Sequence, residues 1–191
     1  MKHIQLPIGE TDIRILKVGD EVAISGVMVT ARDAAHKYII ENWPKWVAPL
    51  LKDRAIYHCG PVVRKDENGY HAISAGPTTS IREEHYEPQI IAHYGPRIII
   101  GKGGMGDATL AAMQKSGAVY VHATGGAASF IARSIRKIHN VYMLDELGPP
   151  EAFWEMEVED FTGVVTMDAH GGSLHNIVRK ASEKRLHALL Q

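Results

Sequence analysis

The sequence predicts an α/β fold with a mixed sheet, built as a single domain over residues 1–191. Three observations carry this. From residue 97 to 144, short apolar runs alternate with helix-spaced segments, the rhythm of β-α units. The first half instead alternates apolar and polar residues one by one, the period of half-buried strands. The chain, 191 residues and 45% apolar, has no internal repeat, low-complexity segment or linker-like stretch that would divide its core. Mixed β layers are expected rather than a regular dinucleotide-binding sheet.

Taken in order, residues 12–18 (DIRILKV) and 21–31 (EVAISGVMVTA) flank a Gly19-Asp20 turn signal and are expected to pair as a hairpin. Helical spacing runs from Asp33 to Asn42, and a short helix after Pro44 would carry Trp46, Val47, Leu50 and Leu51. Strands are expected at 55–64 and 70–75, around the turn Asp66-Glu-Asn-Gly69. In SAGPTTSIREEHYEP the Gly-Pro marks a loop, and its Thr/Ser cluster offers caps for a helix. Then follow a strand at 97–101, a helix at 106–116, a strand at 118–123, a helix at 125–138 and a strand at 141–144. Strand-like stretches at 152–158 and 163–168 and a helix from Ser173 complete the chain. Trp154 sits among alternating apolar residues and is expected in the core or an interface. Asp168 and His170 are read as the turn before the last helix, and Glu151 as structural.

Composition excludes several classes of function. The 21 basic and 22 acidic residues leave a net charge of −1, and no basic run interleaves with aromatics, so no nucleic-acid partner is expected. No apolar run approaches the ~20 residues of a membrane span. The N-terminus MKHIQLPIGE lacks a signal-peptide core, so a cytoplasmic location is expected. Cys59 is the one cysteine; it permits no internal disulfide and cannot alone hold a structural zinc or an iron–sulfur cluster. The 11 histidines are scattered without a ligand-pair motif, so no metal is expected in this chain.

The stretch RIIIGKGGMG, residues 97–106, runs from an apolar strand into glycines spaced G-x-G-x-x-G before a helix. Free amides at a helix N-terminus suit phosphate, and they suit carboxylate equally. A dinucleotide site also needs an acid about 20 residues on, at the end of the next strand. That strand is AVYVHATGG, which has His122 and Thr124 and no acid. A P-loop is excluded by order, because Lys102 precedes the glycines. No nucleotide is therefore expected. An anion-friendly loop containing Lys102 remains, or a tight turn with Lys102 solvated.

Two other loops resemble it chemically. VTARDAAH ends a strand with Arg32, Asp33 and His36; Arg32 and His36 lie four apart and share a face if a helix begins there. AGPTTSIR places Thr78, Thr79, Ser80 and Arg82 on a loop entering a helix. Each is explicable alone, as capping hydroxyls and surface charge. Three such loops, each with a cation beside hydroxyls or glycines, suggest convergence on a small polyanion, and the arginine fork pairs with carboxylate bidentately.

The motifs VTARDAAH, GPTTSIR, IIIGKGGMG, ATGGAASFIA and ELGPPEAFWEMEVEDF…MDAHGG resemble the β subunit of the class I iron–sulfur hydro-lyases, the class I fumarases and L-tartrate dehydratases. The resemblance spans the chain to about Gly172. A chain of 191 residues from Met1 is what the separate-subunit branch would have. The resemblance implies a swivelling β/β/α domain closing over an α subunit that carries a 4Fe–4S cluster with one open iron, with α2β2 as the expected assembly. It implies reversible addition of water across the double bond of a small dicarboxylate, the iron acting as Lewis acid and cations stabilising charge that develops on the substrate carboxylate. Fumarate to L-malate leads; tartrate to oxaloacetate is the alternative, and a non-catalytic dicarboxylate-binding module a third. Carried onto matching positions, Arg32, Thr79, Arg82 and Lys102 resemble substrate-binding residues. Thr78 resembles the catalytic base, assisted by an acid of the α subunit, and His36 another catalytic position. Thr78 leads on the resemblance and His36 on intrinsic basicity; the sequence leaves that choice open.

Overall fold

A computed structural model of the chain describes residues 1–190; Gln191, the last residue of the expected C-terminal helix and domain, lies outside the described residues. The chain opens with strand β1 (Lys2–Gln5), helix α1 (Glu10–Ile13), strand β2 (Glu21–Thr30) and helix α2 (Asp33–Asn42). A 3-10 turn, Lys45–Val47, runs into α3 (Ala48–Leu51), followed by β3 (Ala55–Tyr57), β4 (Val62–Asp66) and β5 (Gly69–Ser74). A second 3-10 turn, Ser80–Glu83, precedes α4 (Glu87–Tyr94), β6 (Ile98–Gly101), α5 (Asp107–Ser116) and β7 (Val119–His122). The remainder comprises α6 (Ala128–Ile131), β8 (Ile135–Tyr142), α7 (Leu144–Leu147), β9 (Phe153–Met167) and α8 (Leu174–Leu189).

Strands β1, β2, β3, β6 and β7 run parallel, and β9 and β8 extend the sheet antiparallel, so the sheet is mixed as expected. The far edge of β9 pairs with β2, so the pairings β2–β3–β6–β7–β9 return to β2. Both faces of the parallel strands are buried. Ala55, Tyr57, Ile98, Ile100, Val119 and Val121 point into one cluster. Their neighbours Ile56, Ile99 and Tyr120 meet Ile39, Leu51, Ile90 and Ile91 from the helices in another. Two buried faces explain why Ile98-Ile-Ile is a continuous apolar run rather than an alternating one. Trp154, fully buried, anchors a third, smaller cluster with Met156 and Ile138.

The expected hairpin does not form. Ile13 and Leu16, three apart, are buried while Ile15 is 61% exposed, so the pattern of DIRILKV is one helical turn, not a strand. The partners of β2 are β9, β3 and the unforeseen β1, whose strand and the residue after it bury Ile4 and Leu6, two apart. The expected strand 55–64 breaks at Gly60-Pro61, and β4 leaves to form a separate ribbon with β5. The expected helix 125–138 is confined to α6 and the 3-10 turn Ala132–Ser134; Ile135 onward is β8, which pairs with β9 and ends where α7 begins. The stretches 152–158 and 163–168 are one strand, β9, kinked near Asp160 (φ 50°), where the register with β2 also shifts.

Candidate functional site

In open parallel sheets, binding residues collect beyond the carboxyl ends of the strands. The loops leaving β2, β3 and β6 at that end hold Arg32, His58 and Lys102, and β7 ends there at His122. Arg32 is the N-cap of α2. Its guanidinium lies over Gly60, where an added Cβ would stand 2.6 Å from Nη1, so the close approach requires glycine. Glu151 holds this corner: Oε2 accepts from Ala34 N–H at 2.9 Å, and Oε1 lies 3.5 Å from Arg32 Nε. Asp33 links the two arginines. Its Oδ2 is 4.0 Å from Arg32 Nη2 and accepts from Arg82 Nη2 at 2.7 Å, while that same nitrogen donates to Thr78 Oγ1 at 3.0 Å.

The segment carrying Thr78 lies against the loop after β6. Thr78 N–H donates to His58 O (2.7 Å), Lys102 N–H to Thr78 O (3.2 Å) and Ser80 N–H to Lys102 O (3.0 Å), which makes a one-residue parallel bridge between Thr79 and Lys102. Gly101 permits this, because a Cβ there would overlap Ser80 Oγ. Gly103 and Gly104 then turn with φ of 83° and 78°, a region that favours glycine. The fold therefore gathers Arg32, Thr78, Thr79, Arg82 and the backbone of Lys102 at one end of the sheet. Thr79 and Arg82 are exposed; Arg32, Thr78 and Lys102 are half-buried. Lys102 makes no ion pair among the described residues.

The glycine loop does not leave a free helix terminus for phosphate. Glu84 already accepts from Gly106 N–H (2.7 Å), Thr109 N–H (3.1 Å) and Thr109 Oγ1 (2.7 Å), and so caps α5. A Cβ on Gly106 would meet that carboxylate at 2.6 Å. The anion at this turn is the chain's own.

His36 does not share the surface with Arg32. It is fully buried on α2: Nδ1 donates to Arg32 O at 2.8 Å, and Nε2 meets Glu87 Oε2 at 2.8 Å. His58 reaches the same Glu87 oxygen through Nε2 at 3.2 Å, and its Nδ1 meets Ser80 Oγ at 2.9 Å. Ser80 Oγ in turn meets Tyr120 OH at 2.8 Å. Burial disfavours a charged His36, but Glu87 and then Glu83 outweigh it and raise the imidazole to about 9. Burial would likewise raise Glu87, yet bonds from His36 and His58 hold it down at about 2. Burial lowers His58 and pushes Glu83 up to about 7. Both oxygens of Glu83 and Oε1 of Glu87 are buried without a hydrogen-bond partner.

The nitrogens of His36 and His58 and the carboxylate of Glu87 lie within 4.8 Å of one another, near enough to share an ion, but their spacing is that of hydrogen bonds. Cys59 is buried, and burial pushes its thiol up to about 12. A single inert thiol does not fit an iron–sulfur cluster, which typically takes several cysteine ligands. Asp168 accepts from Val18, His170 and Gly172 amides at 2.9–3.0 Å, the turn role expected of it. His58, Glu84 and Glu87 went unread in the sequence, and Ser80 was read only as a loop hydroxyl. The only local cues were a histidine ending an apolar strand and a Glu-Pro pair opening a helix.

Residues 1–178 match the family model described as Fumarase C-terminus. Over 185 residues, 96% of this chain, it is 51% identical to a candidate class I fumarate hydratase of Geobacillus stearothermophilus, of whose length it spans 35%. It is 42% identical to a candidate L(+)-tartrate dehydratase subunit beta of Methanocaldococcus jannaschii, aligned over 100% of this chain and 99% of that one. To the L(+)-tartrate dehydratase subunit beta of Escherichia coli it is 38% identical, over 91% of this chain and 86% of that one.

Proposed function

The chain belongs to the fumarase C-terminus family, and from that premise we propose that it is the β subunit of a two-subunit hydro-lyase that reversibly hydrates a small dicarboxylate. The observation that carries the reading is the cation cluster: Arg82 touches Thr78 and is joined through Asp33 to Arg32, and the backbone of Lys102 bridges to Thr79 in the same segment. Two guanidinium forks and an ammonium at one sheet end suit a substrate with two carboxylates. The charge that grows on a carboxylate during removal of the neighbouring proton is stabilised by the same groups.

Within this reading Arg32, Thr79, Arg82 and Lys102 bind substrate and Thr78 handles the proton. A threonine hydroxyl is a poor base alone. The Arg82 guanidinium donating to Oγ1 at 3.0 Å favours its deprotonated form. An acid of the α subunit accepts the proton onward. His36, enclosed and bonded at both ring nitrogens, serves by positioning Arg32 rather than by meeting substrate. The α subunit carries the 4Fe–4S cluster, since Cys59 offers no set of ligands for it, and the assembly is α2β2 in the cytoplasm. No described helix is long and apolar enough to cross a membrane. The chain acts as one domain over residues 1–191. Fumarate is favoured by the 51% identity, tartrate by two relatives named for it.

The test is turnover under strict anaerobiosis with fumarate, L-malate and L-tartrate, for the chain alone and co-expressed with an α subunit. Activity only in the complex, lost on exposure to air, is expected, and the preferred substrate names the enzyme. A complex with an intact cluster that turns over none of them would leave a binding module instead.

A further inference from the structure

Beneath the cation cluster runs a continuous buried chain of polar groups. Tyr120 OH meets Ser80 Oγ, Ser80 meets His58, and His58 meets Glu87 Oε2. From the other side Arg32 O binds His36, which meets that same Glu87 oxygen. One assignment of protons satisfies every link: each hydroxyl donates toward Glu87, neutral His58 donates from Nε2, and His36 as imidazolium donates from both nitrogens. Every side chain in it from Ser80 to His36 is fully buried.

We propose that Glu87 is a positioning residue, the hydrogen-bonding node that joins the Arg32 arm of the cluster to the arm carrying Thr78 and Lys102. The two arms come from α2 and from the segment laid against β6; among the described residues the half-exposed Asp33 contacts join them at the surface, and a longer buried contact, His36 Nδ1 to Glu83 Oε2 at 3.7 Å, runs beside Glu87. His58 grips the second arm twice, its carbonyl accepting Thr78 N–H at 2.7 Å and its ring holding Ser80 at 2.9 Å. His36 grips the first arm through Arg32 O, which also accepts the first helical amide, His36 N–H, at 2.8 Å. A carboxylate oxygen shared at 2.8 and 3.2 Å turns two separate loops into one body. Burying such a charge costs several kcal/mol unless it is paired, so the pair holds its geometry tightly.

This assignment rests on the hydro-lyase reading for its catalytic consequence, and its structural consequence is measured separately. In the αβ complex, Glu87→Gln keeps the shape and removes the charge. Amide exchange at Thr78, Ser80, Lys102 and His36 is expected to quicken at least about tenfold, while amides of Val119–Val121 in the core keep their protection. For the active complex, kcat/KM should fall on the order of tenfold to a hundredfold with KM rising, because ligands of both arms are misplaced. Uniformly faster exchange, core included, or unchanged exchange at those four amides, overturns the proposal. Should Glu87→Gln fail to assemble, Ser80→Ala cuts only the second arm. It should quicken Thr78 and Lys102 but not His36, and equal effects on both arms contradict a node at Glu87. Local exchange changes in the variant, with a wild-type complex that hydrates no dicarboxylate, would sink the functional reading and leave the brace standing; hydration by the wild-type complex with exchange unchanged in the variant would do the reverse.

Discussion

Arg32, Thr78, Thr79, Arg82 and Lys102 stand at or near the surface, whereas His36, His58, Ser80, Glu83 and Glu87, some only one residue or one turn away, are fully buried. Both sets come from the same loops. The outer set carries charge in water, where the Arg82–Asp33 pair is 45% exposed on each side and contributes ~0–1 kcal/mol to stability. The inner set carries charge where each ion must be paired, and removing one partner costs about 3–5 kcal/mol. The contrast teaches that neighbouring stretches of chain supply both reach and rigidity: some side chains stand at the surface, and others within a turn of them are tied into the buried network beneath.

The comparison is broken most severely at Thr78. If the outer set does the chemistry, Thr78→Val in the complex should lower kcat by about 10²–10⁴-fold with KM changed only a few-fold, and unaltered kcat would move the proton transfer elsewhere. If Arg82 binds substrate as proposed, Arg82→Ala removes a charge-assisted contact and should cost roughly a hundredfold in kcat/KM. Its melting temperature should stay at the wild-type value; a large drop would place Arg82 with the structural residues.

The inner set is exposed by pH. His36 is raised to about 9 from an ordinary 6.5, so its stabilisation is complete below 6.5 and is lost as pH climbs through 9. Glu83, raised to about 7 from 4.5, acts in the same direction, its contribution fading between those values. Glu87, held at about 2, contributes above 4.5 and loses this only as pH falls through 2. His58, lowered, opposes only on the acid side, below its ordinary 6.5. Melting temperature should therefore fall as pH rises from 6.5 to 9, with His36 faced by Glu87, Glu83 and His58, and Glu87→Gln should flatten that slope. A wild-type curve flat over this range would contradict the His36–Glu87 charge pair. The smallest effect belongs to Glu84, whose removal as Ala should cost about 1 kcal/mol as a lost helix cap. Neither NAD nor ATP should raise the melting temperature of wild type, since the α5 amides are already taken; stabilisation by either would reopen the nucleotide reading.

The outer set was legible because each member sits in a short motif at a strand end: ARDAAH, GPTTSIR, GKGG. Strands β6 and β7 were legible for a related reason, as apolar runs bounded by glycine or a small residue. The inner set was hidden because its contacts cross the chain, His36 to Glu87 over 51 residues and His58 to Glu87 over 29. His36 looked like a surface base since it follows Arg32 by four residues, yet Arg32 is the cap and lies outside the helix proper. Strand β8 escaped for want of pattern: in IRKIHNVY only Ile138 is buried, and pairing with β9, not periodicity, makes it a strand.

The central claim is that the cations gathered at the carboxyl end of the sheet hold a dicarboxylate. Lys102, whose backbone is fixed by Thr78 and Ser80 and whose side chain has no ion pair among the described residues, tests it most directly. Anaerobic kinetics of Lys102→Ala in the co-expressed complex should show kcat/KM for the preferred dicarboxylate reduced about tenfold or more, with fold and assembly intact. Wild-type kcat/KM in that variant would contradict the account.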